Sequence, residues 1–315
     1  MKPKLSLITF IILILTLLAA CGGSPKKTAT PLPTPTPLPT PTETPWPQSQ
    51  MMIEKVGEYT FILECRGEGE PTIILENTVG KESWTSTFRF QSISRTCTYT
   101  HAGMNGADKI TVVRTVGDQV QDLYSLLIQA GIPGPYVLVG NKTAGFNIVL
   151  YASLYPDQVA GLVCVDCYTP QLYENQMKAL GEKYNDTWDA SNDLRYGFNW
   201  SIEMFRANNL ERVDIIASQA QFQQVTGLGD IPFIVLVAGD PEDIPEAYYT
   251  FGPEDIQKAY VTYGLDQIHY TQSEAFSKLS SRGRVETFPG IDPNNLIQSD
   301  HVTKAVQEIV DETRK

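Results

Sequence analysis

Short apolar runs that alternate with helical hydrophobic periods predict an α/β fold, a mainly parallel sheet with helices on both faces and a helical lid inserted late in the chain. Three observations carry this. Six runs of strand length are bounded by turn residues, and the segments between them repeat apolar residues every three or four positions. In addition, 42% of the chain is hydrophobic, which excludes global disorder. The 315 residues suit one large α/β unit as well as two average domains.

Taken in order, the chain opens with two lysines in Met1–Lys4 and a 16-residue apolar run, Leu5–Ala20, before Cys21 and Gly22-Gly23-Ser24. The run is shorter than the roughly 20 residues of a spanning helix, so 1–20 reads as an export signal. Leu18-Ala19-Ala20-Cys21 resembles the bacterial lipoprotein signal, which implies that Cys21 becomes an acylated (palmitate-bearing) first residue holding the protein to the bilayer. An uncleaved anchor helix with an incidental Cys is the alternative. Either way the rest lies outside the cytoplasm, as a cell-membrane protein. Nine of the 21 prolines fall in Gly22–Gln50, so 21–50 is the lipidated Cys and a Thr/Pro-rich stalk. Its polyproline II path could reach roughly 90 Å at about 3.1 Å per residue.

The folded part is 51–315. Tyr59–Cys65, Thr72–Leu75, Thr96–Tyr99, Pro135–Val139, Gly161–Val165 and Pro232–Val237 are the expected strands. Val116, Val120, Leu123 and Leu127 mark one helix; Val302, Val306 and Ile309 mark the last. Tyr168–Gln224 breaks the alternation with helical patches and is the expected lid. Ligands in such folds sit beyond the carboxyl ends of the strands. Without Lys2 and Lys4 the chain has 22 basic and 36 acidic residues, a net charge of −14, which disfavours nucleic acid as a partner.

The stretch GPYVLVGNKTAGFNIVLYASLYPDQVAGLVCVD resembles the elbow region of the α/β-hydrolase fold family, which reads close to GPYVLVGHSxGGxxAxxYAxxYPxxVAGLVLVD. The likeness continues through IPFIVLVAGD and SSRGRVETFPG and implies the α/β-hydrolase fold for nearly all of 51–315. That family places a nucleophilic Ser on a sharp strand-to-helix turn flanked by small residues. Here Gly140, Ala144 and Gly145 keep the small positions, while Lys142 stands at the nucleophile position. A shifted register would make Thr143 the nucleophile, with Asn141 where Gly should be.

The family's general base is a His after the last strand; aligning Ile297-Gln298 and Asp300 puts Asn295 there. An amide cannot relay the proton. His301, expected in the first turn of the final helix with Ser299 or Asp300 as its cap, could be a displaced base; His101 and His269 match no base position. Asp240, Glu242 and Asp243 occupy the loop of the acid. The oxyanion-loop text becomes Leu75-Glu76-Asn77-Thr78, and the YDRxGxGxS-like text becomes Tyr99-Thr100-His101-Ala102-Gly103.

What the elbow could still hold follows from its place. Lys142 beside a helix N-terminus, with Thr143 and Asn77, would bind a small anion, or attack a carbonyl ligand as a neutral amine. Alternatively its tail bends to solvent or pairs with Asp240. Of the four remaining cysteines, Cys65 and Cys97 lie on strands that the resemblance places side by side, which implies a disulfide. Cys164-Val165-Asp166-Cys167 has C-x-x-C spacing, but on an extended strand its ends would lie about 10 Å apart. The four are too scattered for a metal site, and no cofactor is implied.

The expectation is a lipid-anchored, extracytoplasmic α/β-hydrolase-fold protein with a degenerate triad that binds a ligand or partner in the old cleft. A weak ester or amide hydrolase with a non-standard site is the alternative, and a surface protein without a small-molecule site is the third.

Overall fold

All six expected runs form strands, and two more flank them. The strands are β1 (Ser49–Val56), β2 (Tyr59–Arg66), β3 (Thr72–Glu76), β4 (Thr96–Tyr99), β5 (Tyr136–Asn141), β6 (Val159–Val165), β7 (Phe233–Ala238) and β8 (Gly283–Phe288). The helices are α1 (Val116–Gln129), α2 (Ala144–Leu154), α3 (Ile215–Phe222), α4 (Pro293–Gln298) and α5 (Asp300–Thr313). The computed structural model describes residues 49–76, 88–104, 108–167, 211–213, 215–239, 273–291 and 293–315, all within one unit, Pro33–Lys315. Cys21, Asn77, Asp240, Glu242, Asp243, His269, the leader, most of the stalk and residues 168–210 of the expected lid lie outside the described residues. No described helix is long and apolar enough to cross a membrane.

The sheet runs β1-β2-β4-β3-β5-β6-β7-β8. β1, β2 and β4 pair antiparallel, and the remaining pairs are parallel. β1 begins at Ser49, two residues inside the range read as stalk. It is an edge strand with alternating exposure, and Met51 and Ile53 on its outer face are 68% and 66% exposed.

Helix identity follows from burial. α1 is amphipathic, and Val116, Val120, Leu123 and Leu127 all face inward. Its start is fixed by a reciprocal cap: Asp118 N–H donates to Thr115 Oγ1, and Thr115 N–H donates to Asp118 Oδ2. α3 supplies further acceptors, with Val116 N–H on Ser218 Oγ at 2.9 Å and Gly117 N–H on Gln221 Oε1 at 2.9 Å. α2 is buried from Ala144 to Ala152 without a polar face, so no amphipathic period marks it. α5 lays Val302, Val306, Ile309 and Val310 over Val137, Val139, Val163 and Val165. Gly161 admits this approach, because a Cβ there would lie 2.5 Å from Ile309 Cγ2.

The chain leaves β3 for β4 on one side and returns across β3 to β5 on the other. The carboxyl ends of β3 and β5 therefore border a topological switch point, where open parallel sheets carry their ligand sites.

Candidate functional site

The sharp turn read from the sequence is present between β5 and α2. Lys142 has φ 47°, a left-handed conformation that costs a non-glycine residue about 1–2 kcal/mol. Its N–H donates to the Val165 carbonyl at 3.3 Å, and its own carbonyl accepts from Gly145 N–H at 3.2 Å. Asp166, the residue just beyond β6, is also left-handed at φ 49°. Because Asn141 pairs with Val165, the two strained residues stand side by side at the carboxyl edge of the sheet. Strain of this kind collects at functional sites.

The small positions have a steric cause. A Cβ on Gly140 would lie 3.1 Å from the Ala144 carbonyl oxygen; one on Gly145 would lie 2.6 Å from Cys167 Cβ and 2.8 Å from its Sγ. Cys167 is fixed, because Cys164 and Cys167 form a disulfide with Cα atoms 5.7 Å apart. This corrects the sequence expectation that the C-x-x-C cysteines stay apart. β6 ends at Val165, and the left-handed Asp166 folds Cys167 back toward Cys164. Cys65 and Cys97, opposite each other in the β2–β4 register, form the disulfide that the resemblance implied. Gly145→Ala is expected to cost about 1–3 kcal/mol in urea denaturation, and less in a Cys164→Ala/Cys167→Ala background, where both sulfurs it strikes are gone and residue 167, its Cβ retained, is no longer held by the cross-link.

Thr143 opens α2 with helical dihedrals (φ −67°, ψ −23°) and caps nothing with its side chain. It is 4% exposed, and its Oγ1 has no hydrogen-bond partner among the described residues, so neither His101 nor His301 is bonded to it. Asn295, at the expected base position, is exposed on α4. His301 does lie in the first turn of α5, but its ring packs on Phe288 with centroids 4.1 Å apart. Ser299 is the N-cap by position only, since its hydroxyl donates to the Leu296 carbonyl at 2.7 Å.

The third described feature was not read from the sequence: a buried polar network beside the elbow. His101 Nδ1 donates to Glu211 Oε2 at 2.8 Å. Its Nε2 lies 3.1 Å from Glu76 Oε1, an ion contact off the line of a hydrogen bond. Glu76 also accepts from Tyr99 O–H at 2.7 Å and from Asn147 Nδ2 at 2.9 Å. Gln119 Nε2 donates to Glu211 at 2.7 Å, while Gln119 Oε1 accepts from Asn147 at 3.1 Å. All six residues are buried, and the Tyr99 and His101 rings stack.

Burial alone would push the His101 imidazole down, but attraction from Glu211 and Glu76 carries it well above its ordinary value. Tyr99 is held neutral by burial and by Glu76, which raise its phenol far above 10. His101 is therefore an imidazolium at neutral pH, with no lone pair to take a proton from a nucleophile. Nothing among the described residues groups His, Cys, Asp or Glu as a metal site.

This strand order, with a strand-turn-helix elbow after β5, defines an α/β-hydrolase-fold protein, and solved structures agree. The chain is similar to a thermophilic esterase from Thermogutta terrifontis (malate bound) at TM-score 0.51 and 18% identity, over 84% of this chain and 100% of that one. A probable hydrolytic enzyme from Pseudomonas aeruginosa matches at TM-score 0.55 and 15% identity, over 83% and 94%. An epoxide hydrolase from Vigna radiata matches at 0.54 and 12%, over 84% and 99%. No protein-family model matches the chain. Among curated proteins, "Probable transporter efuK" of Hormonema carpetanum is 34% identical over 115 residues, which are 34% of this chain and 16% of that protein. An uncharacterized Schizosaccharomyces pombe protein is 33% identical over 87 residues, 28% of this chain and again 16% of the relative. The chain thus matches about a sixth of these relatives' length.

Proposed function

We propose that this protein is a lipid-anchored, extracytoplasmic α/β-hydrolase-fold module that binds a small anion or carbonyl compound at its elbow and does not hydrolyse it. The observation that carries the reading is Lys142 at the left-handed tip of the elbow, where the fold's chemistry calls for a hydroxyl. Lys142 immediately precedes Thr143, the N-cap of α2, and an ammonium that reaches that helix N-terminus favours a bound carboxylate or phosphate. The machinery for hydrolysis is opposed at each step. His101 keeps its proton between two carboxylates, and Asn295 offers no basic nitrogen. Loss of nucleophile or base from a Ser-His-Asp set costs about 10⁴–10⁶ in rate. Anchoring rests on the leader and Cys21.

The test treats the full chain with a fluorophosphonate probe and with p-nitrophenyl acetate, alongside Lys142→Ser and Thr143→Ala. No labelling and no turnover above background are expected from the native chain. Lys142→Ser is expected to gain none, because a hydroxyl without a base stays protonated. In calorimetric titration, acetate or inorganic phosphate is expected to bind the native chain at least about tenfold more tightly than Lys142→Met, the loss of one charge-assisted contact. Labelling at Thr143, or turnover abolished by Thr143→Ala in a folded protein, would establish the hydrolase reading instead.

A further inference from the structure

Glu211 is the first described residue after position 168–210, and it is 1% exposed. The chain that follows it is tied to the domain at several points. Arg114 N–H donates to the Arg212 carbonyl at 3.0 Å, Arg212 Nη1 donates to the Thr111 carbonyl at 2.7 Å, and Val213 bridges Arg114. Ser218 and Gln221 then cap α1. The inner end of this attachment is an imidazolium held between Glu211 and Glu76, on a sheet edge where β3 and β4 end.

We propose that Glu76–His101–Glu211 is a proton-operated clasp. With its proton, His101 fastens the described residues 211–213, and through them α3, to the ends of β3 and β4; without it, two buried carboxylates face a neutral ring, and this attachment detaches. Charge balance is the physical reason. A cation between two anions at 2.8 and 3.1 Å holds them together in a low-dielectric site, and its removal leaves like charges that repel.

The groups facing His101 on each side leave the switching to this residue. β3 presents Glu76, β4 presents Tyr99, and the returning segment presents Glu211. α1 presents the neutral Gln119, and the neutral Asn147 of α2 reaches Glu76 behind it. Farther out, Asp122 is raised by burial to about 6 against the pull of Arg114. Its window lies below that of His101, whose proton is held more tightly in the folded chain than at the ordinary value of 6.5. The clasp therefore contributes fully below about pH 6.5 and is lost as pH rises through the folded-state value of His101.

Hydrogen exchange of the full chain, read by mass spectrometry from pH 6 to pH 10 and corrected for intrinsic rates, tests this without any ligand. Protection of 211–222 is expected to fall by about tenfold or more relative to β7 on the alkaline side, tenfold matching one pH unit of proton affinity. Asp122→Asn is expected to leave that fall in place. His101→Arg, a fixed cation, is expected to abolish it. Should the larger side chain prevent folding, Glu211→Gln supplies the second arm, with protection of 211–222 low and flat across the range. Protection of 211–222 that follows β7 at every pH in the native chain, or a pH-dependent fall that persists in Glu211→Gln, overturns the clasp.

Discussion

His101→Leu is expected to lower unfolding free energy at neutral pH by about 3–5 kcal/mol, the loss typical when one partner of a buried ion pair is removed. The leucine fills much of the volume, so the loss comes from charge. Glu76 and Glu211, both about 1% exposed, lose the imidazolium that touches each of them. A combined Glu76→Leu/His101→Leu/Glu211→Leu variant is expected to be less destabilised than the single one, since no uncompensated carboxylate then remains. Urea denaturation measures both. A single-variant loss below about 1 kcal/mol, the range of an exposed pair, would mean that the network contributes little electrostatically.

Removing the Cys65–Cys97 disulfide by a double alanine substitution is expected to cost about 3.7 kcal/mol, from the chain entropy released by a 32-residue separation. The bond joins β2 to β4 across an antiparallel register. That places it in the only described part of the sheet with antiparallel pairing, next to the edge strand β1, whose outer face is open to solvent. A chain opened there must order β2 and β4 against each other without help. Comparable midpoints for the native and substituted proteins in urea, at equal slope, would show that the cross-link does not constrain the unfolded chain as its length implies.

The strands were legible because most are buried on both faces. β3, β5 and β6 are almost wholly buried, and such strands must be written as continuous apolar runs. β1 was missed for the converse reason: as an edge with one open face it alternates, and its Met51, Ile53 and Lys55 look no different from a connecting segment. The elbow was legible because a bend that tight excludes side chains. Gly140 and Gly145 meet Ala144 and the Cys164–Cys167 disulfide so closely that the sequence had to keep them small. That same disulfide was not legible. Strand geometry separates residues three apart by about 10 Å, and only the left-handed Asp166 shortens the distance to 5.7 Å between Cα atoms.

By itself the sequence determined the alternation of strands and helices, the bend after β5 and the cation at its tip, because each is set by neighbours within a few residues. Tertiary structure alone decided the partners of His101. Glu211 lies 110 residues from it in the chain, and no local pattern encodes which distant carboxylate a buried imidazole will meet. That pairing exists only once β3, β4 and the segment after the insertion converge, for burial there leaves an unpaired charge far too costly to stand alone.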